Sequence, residues 1–361
     1  MSDGFKFIEG FEGDSLSLVW TSIIPDSSPS ASPIGRNAAF ARTGSYGIGL
    51  TGLGLAAAAS PIWDALPEMA VGFAFRWNEP TGGGNIGFLH FRGPGDLTYV
   101  TLSLNGQRCL VLTSGAHGAQ EVRAVSTFQL DAGAWYYIEV HALCHASAGT
   151  VIVQVNGPAG IPGSTGAEVI SVSGVRTCSD GATGYNQIAL GVLSGFLNED
   201  RNFSFDDIYV RDGAEGFVGD QAVFLVDLED DRAVAWTRLS GAKNYLMVNE
   251  VAPDDDTTYN ETDVDGAEDV FEIGDQIFTG TIHCVQLVAR VRKTETQAWQ
   301  LETLLDLGGT KSYSATRFLP YPNYETRPPD VFGDAPGQTG WTLQQLNDVG
   351  VGYRAGPAPV S

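Results

Sequence analysis

Over residues 1–213 the apolar positions fall in short runs rich in Val, Ile, Phe, Tyr and Leu, cut by Gly, Pro, Asn or Asp. The runs are 69–77, 85–91, 97–104, 107–113, 135–143, 150–157, 187–193 and 203–210. β-branched and aromatic runs of this length, bounded by turn residues, predict strands. Leu104-Asn-Gly-Gln107 puts Asn-Gly between two of them, a hairpin signal. No long amphipathic helix interrupts the pattern, so this half predicts a sandwich or a barrel.

The polar, Gly-rich stretch 211–220 marks a domain boundary, placed after residue 213. Beyond it, 221–229 predicts a strand, and 281–293 with 298–307 predicts a hairpin. The prolines of 315–329 predict an edge strand or loop. Residues 341–350 predict one short helix: Thr342 fits the N-cap, Gln345 completes a capping box, and Gly350 fits the stop. The expected fold is therefore all-β. It has two jelly-roll-like β-sandwich domains, 1–213 and 214–361, and one short helix near the C-terminus.

Charge narrows the function classes. A net charge of −23 repels phosphate backbones and anionic lipid, so nucleic acid and membrane surfaces are poor partners. No apolar stretch reaches the ~20 residues a spanning helix needs. The first ten residues lack a basic-then-apolar leader pattern, which predicts synthesis in a reducing cytoplasm. Cys109, Cys144, Cys178 and Cys284 show no CxxC spacing and read as free thiols.

Candidate chemistry is sparse. Paired carboxylates for glycoside hydrolysis must flank one bond at about 5 Å. Asp206 and Asp207 are adjacent, and an ideal strand sends neighbours to opposite faces, so they read as solvated acids at a strand end. Glu9, Glu12 and Asp14 lack the further Glu of an E-x-D-x-x-E strand. Nucleophile elbow, Walker A and dinucleotide-binding patterns are absent. His141, Cys144 and His145 have zinc-ligand chemistry but do not share one strand face. Residues 254–275 hold ten acids and no Lys or Arg. That stretch reads as a solvated acidic loop or as a Ca²⁺ site built from Asp254, Asp255, Asp256, Asp263 and Asp265. Trp63 and Trp77, with Trp20 and Tyr46, read as core or as a sugar-stacking platform.

Residues 133–157, with a Trp-led strand, a turn and Val-Gln-Val-Asn-Gly, resemble laminin-G and concanavalin-A-like jelly-roll domains. The stretches 7–14 and 205–213 are similar to the first and last strands of such domains. Together with 245–262, 280–293 and 340–356, most of the chain resembles virion proteins of tailed bacteriophages, which join a lectin-like domain to a C-terminal β-domain. The resemblance implies a non-enzymatic virion structural protein, tail-associated or fibre-like, acting in host adhesion. A capsid decoration protein and a glycan-degrading enzyme are the alternatives. Implied partners are other virion proteins, further copies of the chain as a trimer, and a host surface glycan. The implied location is the virion, after synthesis in the host cytoplasm.

Overall fold

The computed structural model describes the chain except residues 1–3, 14–18, 21, 25–33, 53–55, 79–83, 158–165, 194–200, 251–252, 295–298, 315–316, 319–322, 327–328 and 358–361. The chain divides into two compact units. One is Lys6–Phe224; the other is Leu225–Ser361 with Met1–Phe5. The division falls after Phe224 rather than after Gly213. Residues 217–223 are hydrogen-bonded to the strands of the first unit and belong with it.

The first unit is a β-sandwich of two sheets. One runs in the order Ala167–Val175, Gly149–Asn156, Trp135–Leu143, Glu68–Trp77, Arg201–Asp212, Gly47–Gly52, Ile34–Asn37, and Phe5–Glu9 also pairs with Arg201–Asp212. The other runs Ala119–Gln129, Cys109–Ala116, Leu97–Leu104, Ile86–Gly93, Gln187–Val192, Ala56–Ala59, Ser22–Ile24. The strands expected at 97–104 and 135–143 appear with those bounds, and the others shift by one to three residues.

Alternation decides the core. On Glu68–Trp77, the residues Met69, Val71, Phe73, Phe75 and Trp77 face the opposing sheet, while Ala70, Gly72, Ala74 and Arg76 face outward. Phe75 and Phe88 stack across the sandwich with centroids 4.4 Å apart, and Phe73, Phe203 and Phe205 close around them. Full burial of each such ring is worth about 1.5–3 kcal/mol. The Asn-Gly hairpin forms, but not as a two-residue turn. Residues 105–108 make the loop, Arg108 carries the left-handed φ of 66°, and the Asn105 side chain accepts the Gln107 and Cys109 N–H groups.

The second unit holds a six-stranded sheet in the order Leu228–Val234, Glu268–Ile273, Gly350–Pro357, Trp299–Leu307, Thr310–Tyr313, with Arg317–Phe318 also on Trp299–Leu307. The expected hairpin between 281–293 and 298–307 does not form. Val285–Leu287 pairs with Asp330–Phe332 and Arg290–Val291 with Glu325–Thr326, while Trp299–Leu307 takes Gly350–Pro357. The expected strand at 221–229 starts only at Leu228. The helix is Leu343–Asp348, with the reciprocal Thr342–Gln345 capping box in place. Gly350 does not stop it; Val349 is the cap and Gly350 opens the next strand. Leu346 anchors the helix to Ile273, Leu305, Trp341 and Val351.

Candidate functional site

A group of buried ionisable side chains in the first unit lies on the outer face of the sheet that contains Arg201–Asp212. That strand carries a β-bulge. Asp206 pairs with Ala74 and Tyr209 with Gly72, so two residues, Asp207 and Ile208, stand opposite the single Phe73. Asp207 adopts a left-handed φ of 51°. The inward set is Phe203, Phe205, Ile208 and Val210, so the extra residue is absorbed between 205 and 208. Asp206 and Asp207 both leave the core side. They are not solvated strand-end acids, as the ideal alternation suggested; both are fully buried.

Their oxygens are taken up by the chain itself. Asp206 Oδ2 accepts the N–H of Arg42 at 2.6 Å and of Thr43 at 3.1 Å, and Oδ1 accepts the N–H of Asp207 at 2.9 Å. Asp207 Oδ1 accepts the Thr43 hydroxyl at 2.5 Å and the Val223 N–H at 2.8 Å. The Arg42 guanidinium donates to Asp207 Oδ2 at 3.3 Å, Asp220 Oδ1 at 2.5 Å and the Gln221 carbonyl at 3.0 Å. Its planar fork serves three acceptors at once.

One row along, Glu139, Gly72 and Tyr209 are cross-strand neighbours. The Tyr209 ring lies across Gly72, where an added Cβ would sit 2.1 Å from Cε1. Its hydroxyl thereby reaches Glu139 Oε1 at 2.5 Å, and the same oxygen accepts the Val218 and Gly219 N–H groups at 2.9 and 2.8 Å. Tyr137 donates its hydroxyl to the Asp207 carbonyl at 3.1 Å. The segment 217–223 is thus a strap held by carboxylates from two strands.

Burial drives the electrostatics. It raises the Asp206 carboxyl to about 8, and the Asp207 charge beside it adds to the effect. Burial raises Asp207 to about 6 against the Thr43 and Val223 hydrogen bonds. Glu139 is also raised by burial, opposed by the Tyr209 hydroxyl and the strap N–H groups. Raised carboxyl values suit a general acid. Here, however, the acids have no exposed oxygen to offer a substrate, so the cluster acts as a fastening.

The other candidates are dispersed. Trp77 is 1% exposed and Trp20 3%, both inside the sandwich core; neither presents a face to a sugar. Trp63 is half-buried and packs on that core. The platform reading is corrected for Trp77 because its position on the strand points it inward with Phe73 and Phe75. Glu9 Oε1 accepts the Phe11 N–H at 2.6 Å, and Glu12 accepts the Ser45 and Tyr46 N–H groups. Asp14 lies outside the described residues. His141 meets Glu68 at 3.1 Å, while His145 Nδ1 accepts the Ser147 and Ala148 N–H groups.

The five aspartates of the second unit do not converge. Asp255 forms a two-pronged pair with Arg290 at 2.5 and 2.8 Å, and that guanidinium holds its carboxyl below the usual range. Asp256 pairs with Arg292, which lies 4.6 Å over the Tyr324 ring. Asp254 accepts the Thr258 N–H and hydroxyl. Asp263 and Asp265 are exposed. No group of three or more His, Cys, Asp or Glu among the described residues is placed to hold a metal ion. Arginines from a segment some 35 residues away pair with two of the five acids expected to form a Ca²⁺ site.

No known family profile and no curated protein sequence matches the chain. Among solved structures, the chain is similar to a protein described as cellulose induced protein Cip1, at 14% identity and TM-score 0.43, over 60% of this chain and 100% of that one. It is also similar to the carbohydrate binding module CBM66 from Bacillus subtilis, at 13% identity and TM-score 0.31, over 50% and 97% of the two chains. The VIP36 exoplasmic/lumenal domain matches at 11% identity and TM-score 0.33, over 53% and 88%.

Proposed function

We propose that the protein is a non-enzymatic structural component of a tailed-bacteriophage virion, tail-associated, with the sandwich unit serving as a rigid module in host adhesion. The family resemblance of the sequence supplies the setting. The observation that carries the non-enzymatic part is the state of the acids: Asp206, Asp207, Glu139 and Asp220 are all buried, and each accepts hydrogen bonds from the chain's own backbone, hydroxyl or guanidinium groups. Function lives in sites rather than in folds, and these side chains are spent on stability. Adhesion modules on particles gain avidity from symmetric repetition, and a trimer is the assembly proposed here.

Antibody-gold labelling of intact particles tests the setting. Label at the tail end supports the proposal. Label spread over the head makes the protein a decoration component, and particles without label overturn the virion reading. Reducing-end release from a host glycan by the purified protein overturns the non-enzymatic part. A monomer by light scattering at assembly concentrations overturns the trimer.

A further inference from the structure

Cys144 follows the Trp135–Leu143 strand, and Cys178 follows Ala167–Val175, which lies two strands away in the same sheet. Thirty-three residues separate them in sequence. The fold closes that gap at the end of the intervening Gly149–Asn156 strand. Thr177 is the tie: its N–H donates to the His145 carbonyl at 3.0 Å, its hydroxyl donates to the Leu143 carbonyl at 2.5 Å, and it accepts the His145 N–H at 2.9 Å. Residues 143 and 145 are therefore both bound to the residue that precedes Cys178. Each flank is pinned further, by Cys144 N–H to the Pro67 carbonyl at 2.8 Å and by the Tyr185 hydroxyl to the Thr177 carbonyl at 3.2 Å. On this frame Cys144 and Cys178 stand on adjoining backbone, Cys178 inside the sandwich core cluster and Cys144 packed against it. Both are reduced, Cys178 buried and Cys144 half-buried.

We infer that Cys144 and Cys178 form an oxidisable pair, closing under a small-molecule disulfide into an intrachain bond that staples the 144–148 turn to the segment after Ala167–Val175. A disulfide needs Cα atoms within about 7 Å and side chains aimed at each other, and the Thr177 tie holds both flanks in place for that. In the balanced step, a Cys144–Cys178 bond forms, the oxidant's sulfur–sulfur bond breaks, and the two electrons and two protons leave as two reduced thiols. Half-buried Cys144 is the sulfur an oxidant can reach, so it forms the mixed disulfide that Cys178 resolves. Burial pushes the Cys144 thiol well above its usual range. Thiolate is therefore scarce at neutral pH, and closure is slow and speeds up in alkaline buffer. The bond shortens the unfolded chain's freedom and raises stability without altering the fold.

The test incubates the full chain with oxidised glutathione, counts free thiols and maps unreduced peptides by mass spectrometry. The expected result is loss of two of the four thiols and a peptide joining residues 144 and 178. The protein should gain a higher urea midpoint that dithiothreitol reverses. Cys144→Ser and Cys178→Ser abolish the linked peptide, while Cys109→Ser with Cys284→Ser retains it. Four persisting thiols, a terminal glutathione adduct on Cys144, or a different linked pair overturns the inference.

Discussion

Asp207 Oδ1 accepts the backbone N–H of Val223 at 2.8 Å, tying the closing strand of the sandwich to the strap that leads out of it. Removing that carboxylate leaves the Val223 N–H and the Thr43 hydroxyl without their acceptor and takes one of three acceptors from the Arg42 guanidinium. Asp207→Ala is expected to cost about 3–5 kcal/mol, the loss typical of one partner of a buried pair. Urea unfolding measures it. Limited proteolysis should show new cleavage within 217–224, and an unchanged digestion pattern would argue against the strap.

The cluster gives the first unit an unusual dependence on pH. Asp206 and Asp207 titrate near 8 and 6 when folded, above the ordinary value of 3.8, so the folded chain binds more protons than the unfolded one between those limits. Their stabilising contribution is complete below pH 4 and declines as pH rises through 6 to 8. One such group changes unfolding free energy by at most about 1.4 kcal/mol per pH unit. Asp206→Asn should flatten this part of the curve, read from urea midpoints at successive pH values. A slope identical to the parent would contradict it.

Gly72 is required by space rather than by backbone conformation. In Gly72→Ala the new methyl occupies the position of the Tyr209 ring and pulls its hydroxyl from Glu139. Overpacking of this kind costs about 1–3 kcal/mol. Tyr209→Phe, which keeps the ring and deletes the hydroxyl, is expected to lose about 1–3 kcal/mol by leaving Glu139 under-satisfied. Thermal melts of the two variants should both fall below the parent.

Trp77→Ala empties a filled core position and should cost about 3–5 kcal/mol. Trp63→Ala, at a half-buried position, should cost less. The ordering in chemical denaturation checks the assignment of Trp77 to the core; a Trp77 variant that is fully stable would reopen the sugar-platform reading.

In the second unit, the Asp255–Arg290 and Asp256–Arg292 pairs are substantially exposed. Asp255→Asn is expected to shift stability by no more than about 1 kcal/mol. Calorimetric titration with Ca²⁺ should give the same trace for the parent and for a variant carrying Asn at 254, 255 and 256. A heat lost in that variant would restore the cation loop.

Much of this architecture is written in local pattern. Alternating apolar residues place Met69, Val71, Phe73 and Phe75 on one face whatever their partners, because the strand period is a property of the backbone. Thr342 and Gln345 encode their own helix start for the same reason, since the capping box closes within four residues. Even the bulge left a trace. The apolar spacing Phe203, Phe205, Ile208, Val210 skips from two to three and then back, and that step signals one extra residue between Phe205 and Ile208, where the two aspartates lie. What the acids do there was not local. Arg42, Thr43 and Val223 reach Asp206 and Asp207 across 16 to 165 positions of sequence. Only the packed sandwich brings them together, and only burial turns solvated carboxylates into raised, proton-holding groups. The same holds in the second unit, where Trp299–Leu307 takes Gly350–Pro357 rather than the 281–293 segment. Residue types set which strands can form; the choice among compatible partners was made by the shared core that the correct pairing buries.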